Sequence, residues 1–228
     1  EKYGDARRTV ILEKKLDLSL EDLITEEDVV VTISHGGYAK SQSLDRYRAQ
    51  RRGGTGKSAT KVKEEDFIDE IFVANTHDTL LCFTSRGKIY WLKVYELPQA
   101  SHASRGKPIV NLLPLEKDER VNAVLPVREY SEDRFVFFAT RKGIVKKTPL
   151  PAYGNQRVNG IWAINLDEDD ELVNVEITHG DSEVMLFADS GKCIRFAESN
   201  VSSVGRTARG VIGIRLKKGQ KAVSMLVL

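Results

Sequence analysis

The 228-residue chain sets 35 Lys and Arg against 33 Asp and Glu for a net charge of +2, with 41% hydrophobic and 30% charged residues. That balance excludes a disordered chain, which would carry fewer apolar residues or a larger net charge. Ordinary Gly (17) and Pro (6) contents, with no apolar run near ~18 residues, exclude collagen, a coiled coil and a spanning helix.

A globular protein with a substantial core remains. The two cysteines, Cys82 and Cys193, form no disulfide framework, and no basic-then-apolar leader opens the chain, so an intracellular setting is expected. Leu18 to Leu23 is the one short helical candidate, with Ser19 as its cap. Everything after it alternates or runs apolar over five to seven residues between Gly, Asp and Asn, which is strand punctuation.

The strands come in repeats. Val29 to Ile33, a turn at Gly36-Gly37, and Tyr38-Ala39-Lys40 form the first copy. Leu80 to Thr84, Arg86-Gly87 and Lys88 to Trp91 form the second. Phe135 to Ala139, Lys142-Gly143 and Ile144 to Lys147 make the third, and Val184 to Ala188, Ser190-Gly191 and Lys192 to Arg195 the fourth. The turn glycines 37, 87, 143 and 191 lie 50, 56 and 48 residues apart. Gly54, Gly106, Gly160 and Gly210 follow them by 17, 19, 17 and 19 residues.

After the last three of these come apolar runs at Ile109 to Leu113, Ile161 to Leu166 and Val211 to Leu216, and, past a charged turn, at Val121 to Leu125, Leu172 to Ile177 and Val223 to Leu228. Four strands per unit of about fifty residues predict an all-β, propeller-like array of four-stranded blades, because one such blade alone cannot bury both faces. The units are expected at approximately 28–75, 76–130, 131–180 and 181–228, with 1–27 as an N-terminal lead-in. Gln99 to Gly106 reads as an exposed crossing segment. Two unrelated β-sandwiches would need four pairs of glycine anchors to coincide.

Charge follows the repeat. Residues 36–63 hold eight bases and one acid, 86–107 five and one, 141–157 five and none, and 192–221 eight and one. Residues 64–70 carry five acids and 167–183 eight, with no base in either. A basic stretch repeated in one register predicts a positive band on one part of the array, with the acids elsewhere, suited to the phosphates of a duplex.

The densest basic stretch contains Gln50-Arg51-Arg52-Gly53-Gly54-Thr55-Gly56-Lys57-Ser58. Gly56-Lys57-Ser58 matches the close of a P-loop, but that motif needs a glycine five positions before Gly56, where Arg51 stands, and a helix afterwards. A small-residue loop with two arginines suits phosphate oxygens of nucleic acid better.

With this box and the four repeats in order, the chain resembles, over its whole length, the C-terminal β-pinwheel domain of the DNA gyrase A-subunit family, within the type IIA topoisomerases. Thr55 departs from the family, which commonly has a basic residue there. The family domain carries about six blades, so four repeats resemble part of it. The resemblance implies a noncatalytic domain that binds duplex DNA on a basic rim and wraps it with right-handed sense, so that ATP-driven strand passage by the rest of the enzyme introduces negative supercoils.

It also implies as partners double-stranded DNA, the remainder of the gyrase A polypeptide and the gyrase B polypeptide in an A2B2 assembly. No cofactor is expected in this domain, with ATP and Mg used by others, and a bacterial, cytoplasmic, nucleoid-associated setting is implied. The DNA-binding set carried over is Gln50, Arg51, Arg52, Gly53, Gly54, Thr55, Gly56 and Lys57. By repeat register it extends to Lys40, Arg86, Lys88, Arg105, Lys107, Arg141, Lys142, Lys146, Lys147, Lys192, Arg195, Arg206 and Arg209.

The related topoisomerase IV domain generally has a degraded box, which sets it apart from Gln50 to Gly54. A propeller scaffold for protein partners would need an apolar or mixed face instead of a basic register. No catalytic or metal constellation competes: His35, His77, His102 and His179 are scattered, and Asp167 to Glu171 lacks the calcium-loop pattern and reads as a solvated turn. Trp91 and Trp162 fall on strand runs and are expected in the core.

Overall fold

The computed structural model describes residues 21–47, 66–101 and 103–228. Among these residues fifteen strands carry the fold. In chain order they are β1 (Asp28–Ser34), β2 (Tyr38–Ser43), β3 (Ile68–Asn75), β4 (Thr79–Thr84), β5 (Lys88–Lys93), β6 (Lys107–Pro108), β7 (Val121–Val127), β8 (Phe135–Thr140), β9 (Ile144–Pro149), β10 (Ile161–Trp162), β11 (Leu172–Thr178), β12 (Glu183–Ala188), β13 (Cys193–Ala197), β14 (Val211–Ile212) and β15 (Ala222–Val227). Helix among the described residues is limited to 3-10 turns. The expected amino-terminal helix is one of them, Glu21–Leu23; its expected cap lies outside the described residues.

The sheets are antiparallel, in the orders β3-β1-β2-β6, β10-β5-β4-β7, β11-β8-β9-β14 and β13-β12-β15. Each hairpin turns on a glycine with positive φ, at Gly37, Gly87, Gly143 and Gly191. The last three repeats each supply the expected four strands and the first supplies three among the described residues, but a repeat does not build one sheet by itself. Its first, second and last strands share a sheet, while its short third strand crosses to complete the sheet of the repeat before. Thus β6 pairs with β2 (Tyr38↔Pro108, Ala39↔Lys107), β10 with β5, and β14 with β9. The fourth sheet has three strands among the described residues, and the outer edge of β13 has no strand beside it.

The crossing strands are shorter than the apolar runs that announced them. After two ladder residues the chain turns inward: Ile109 N–H donates to Gly37 O, Ala163 and Ile164 N–H to Gly87 O, and Gly213 and Ile214 N–H to Gly143 O. Apolar residues past this bend therefore become plugs against the preceding hairpin. Ile109, Ile164 and Ile214 are all buried, and Ile109–Asn111 is a 3-10 turn.

Three apolar layers hold the four sheets together. Val29, Val31 and Ile33 pack with Leu80, Cys82, Leu92 and Val124 between the first two. Leu81, Phe83 and Ile89 meet Val136, Phe138, Leu150 and Val175 between the second and third. There Phe83 lies edge-on to Phe138 and to Tyr153, with ring centroids 5.4 and 6.1 Å apart, a favoured quadrupole arrangement. Phe137, Ala139 and Val145 meet Val184, Leu186 and Met225 in the last layer.

Burial follows from this stacking. All six residues of β4 are buried and only Phe135 of β8 is partly open, because each strand lies between two neighbouring sheets. In β12 alternate residues are buried, which is the pattern of a strand covered on one face.

Candidate nucleic-acid interface

The crossing strands form the outer edges of the first three sheets, and the last strands of the repeats lie at the opposite edges, where β11 packs against both β7 and β15. Just before each crossing strand runs a loop that carries at least one arginine. Arg105 and Lys107 flank Gly106, Arg157 precedes Gly160, and Arg206 and Arg209 precede Gly210. Lys107, Arg157 and Arg209 are exposed, and Arg105 and Arg206 are partly exposed. The Arg105 guanidinium lies over the Tyr38 ring, 4.3 Å from its centroid. Arg206 donates from Nη1 to Trp162 O at 3.2 Å, and Arg209 grips Asp167 with two bonds of 2.6 and 2.5 Å. Arg157 sits in the same register but was not among the residues expected from sequence.

These loops are held in place by residues expected to lie on the surface. Lys40, Lys146 and Lys147 are not rim contacts, because all three are buried. Lys40 donates from Nζ to Ser101 O (3.3 Å) and Ser104 O (2.8 Å). Three residues after its own turn glycine, as Lys40 is, Lys146 donates to Ala163 O (2.6 Å), Gly205 O (3.4 Å) and Arg206 O. Each lysine therefore fastens the crossing loop of the following repeat with backbone carbonyls in place of water. The segment Gln99 to Gly106 is accordingly tied along β2, with a parallel bridge between Ser41 and Gln99 that recurs between Lys147 and Ser203. A ladder position pointing inward is signalled by the equivalent Tyr90, uncharged and buried, whereas Ile194 at that position of the fourth repeat is 38% exposed on β13.

Burial pushes the Lys146 ammonium down to about 7, with the nearby Arg206 charge adding to the effect. The same cause lowers Lys40. Lys147 reaches Glu198, whose side chain is wholly buried, at 3.7 Å. That carboxylate also accepts from Thr178 Oγ1 (2.6 Å) and from the N–H groups of Gly180 (3.1 Å) and Ser182 (3.3 Å).

The hairpin turns hold the remaining expected cations, and here the acids do not fall elsewhere. Antiparallel pairing of the first and last strands of a sheet sets the hairpin turn beside the acidic turn: Thr84 meets Val121, and Thr140 meets Leu172. Arg86 and Lys88 consequently share Glu116, each at 2.5 Å, which holds that carboxyl below its usual range. Arg141 pairs with Glu171 at 2.8 Å, Lys142 donates to Glu168 O, and Arg195 pairs with Glu183 at 2.5 Å. In the fourth sheet, exposed Lys192 lies on a turn next to the run Lys217, Lys218 and Lys221, since Ala188 pairs with Ala222. Trp162 is also not a core residue; it stands half-exposed on β10, whereas Trp91 packs against the second layer. Gln50, Arg51, Arg52, Gly53, Gly54, Thr55, Gly56 and Lys57 lie outside the described residues.

Known proteins share both sequence and architecture with the chain. It is 59% identical over 225 residues to the DNA gyrase A polypeptide of Klebsiella oxytoca, and 57% identical over 225 residues to that of Escherichia coli (strain K12). Each alignment covers 99% of this chain and 26% of the relative, so the chain spans about a quarter of the length of these proteins. Among solved structures, a C-terminal domain of DNA topoisomerase IV superposes with a TM-score of 0.76 at 35% identity, covering 90% of this chain and 62% of the other. A DNA gyrase A C-terminal domain superposes at 0.68 with 25% identity, over 88% and 65%. The profile of the family described as DNA gyrase C-terminal domain, beta-propeller, matches residues 28–75, 78–128, 134–179 and 182–228. Four matches, one for each repeat, place the chain in the DNA gyrase C-terminal domain family.

Proposed function

We propose that this chain binds duplex DNA along the outer edges of its sheets and bends it around them, as the wrapping element that lets a gyrase introduce negative supercoils. The observation that carries this reading is the recurrence of cationic loops before β6, β10 and β14, in one register on three successive outer edges. Such loops meet phosphates, which fix position but carry no base information, so binding should be nearly independent of sequence and steeply dependent on salt. Bending a stiff duplex costs on the order of 1–6 kcal/mol per 20–30 base pairs, and contacts spread over several edges offset it. Partners in the reading are double-stranded DNA, the rest of the gyrase A polypeptide and the gyrase B polypeptide. The domain itself contributes binding, while bond breaking, ATP and Mg belong elsewhere in the enzyme.

The test is topological. The protein is bound to nicked circular DNA, the nick is ligated, and the linking number is read after the protein is removed. A positive change that grows with protein is expected. Binding without any change in linking number overturns the wrapping part of the proposal.

A further inference from the structure

We infer that Trp162 is a DNA-contacting residue: its indole packs on the sugar faces and base edges of the minor groove of a duplex whose phosphates lie on the neighbouring cations. This rests on the DNA-binding reading above and adds a contact that charge alone would not supply.

The position is built by the strand exchange. Trp162 lies two residues after the crossing glycine, on the outermost strand of its sheet, and is 51% exposed. It pairs across the ladder with Lys88, whose ammonium lies 5.4 Å from the centre of the indole while also bound to Glu116. Its own carbonyl accepts from Arg206. An ammonium therefore lies over the indole and a guanidinium is held at the backbone of the same residue, so the exposed remainder of the indole sits among cations as the apolar sugar faces of a duplex sit among its phosphates.

The register repeats with other apolar residues. Pro108 and Ile212 occupy the equivalent positions after Gly106 and Gly210, and Ile212 is 59% exposed. Three successive outer edges thus present an apolar residue beside the cationic loop. Reading bases through the major groove calls for hydrogen-bonding side chains, and Pro and Ile offer none. Apolar contact along the minor groove is a mode used by architectural proteins that bend DNA.

Trp91 and Trp162 are the two tryptophans of the chain, and Trp91 is held apart by donating its indole N–H to Tyr153 O at 2.9 Å. The full chain is titrated with a mixed-sequence duplex while tryptophan emission and bound fraction are both followed. The W162F variant reports Trp91 alone. Expected are a saturable change in emission that W162F lacks, and about a fivefold loss of affinity in W162A with an unchanged salt slope. Binding with no change in emission, or W162A binding like the parent, overturns the inference while leaving the DNA-binding reading intact. The same emission change with heparin, which has charge but no groove, also overturns it. Absence of duplex binding by the parent chain overturns the DNA-binding reading itself, and the inference with it.

Discussion

Glu198 shows how much one residue holds in this protein, because its buried carboxylate serves a hydroxyl, two backbone N–H groups and Lys147 at once. Glu198→Ala strands the Lys147 charge and leaves those donors unpaired, so a loss of about 3–5 kcal/mol in denaturant-measured stability is expected. Lys146 gives a pH signature. Its proton is held less tightly in the folded chain, at about 7, than at its ordinary value of 10.5. Between those values the unfolded chain binds more protons, so stability should rise as pH climbs from about 7 toward 10.5. The neutral isostere Lys146→Met should flatten that rise in melts run across the range; an unchanged slope would refute the assignment. Glu70 acts with the opposite sign, since burial raises its carboxyl from 4.5 to about 7 and the folded chain holds that proton more tightly, so stability falls as pH rises between those values. At this scale the sequence was least legible. Lys40, Lys146 and Lys147 sit in basic runs, and only the buried equivalent Tyr90 betrays that the first two face inward.

Among the elements, the crossing strands place the strongest demand on glycine. A Cβ on Gly210, at φ +101, would lie 2.3 Å from Val145 O, and one on Gly106, at φ +88, would lie 2.2 Å from Ala39 O. Gly191 has a similar φ of +75 but nothing within 4 Å. Gly191→Ala should therefore cost only the left-handed backbone penalty, about 1–2 kcal/mol, whereas Gly210→Ala should cost clearly more and free the amides of β14 to exchange. Hydrogen exchange by residue distinguishes the two. The edge of β13 should exchange rapidly in the parent chain, since among the described residues no strand lies beside it. Hairpins and the last strands of the final three repeats were legible from alternation and turn glycines, and the structure finds them within two or three residues, while β3 had no bounds from sequence. The exchange of β6, β10 and β14 was not, because a two-residue strand carries no mark of the sheet it joins.

For the molecule as a whole, the repeat fixed the architecture and the charge register pointed to the outer edge, but pairing of Arg86, Lys88, Arg141 and Arg209 with acids was hidden from composition. Acids brought beside bases by sheet register leave fewer cations for phosphates than a count suggests. If about eight phosphates were neutralised, log K would fall with log salt at a slope of roughly −7; the pairings argue for a shallower slope, measurable by titration from low to moderate salt. Replacing Arg105 and Lys107 with Ala should lower that slope by about two, with little dependence on DNA sequence. The crossing strands also decide where the protein can be cut. A fragment ending at 75 retains β1, β2 and β3 but forfeits β6, while one running to 113 keeps the clasp that closes the first sheet. Like chain stitch, each of the first three hairpins is locked by the strand that follows it, so a pull that frees β14 should slacken the third sheet before the second, and the second before the first, one link at a time.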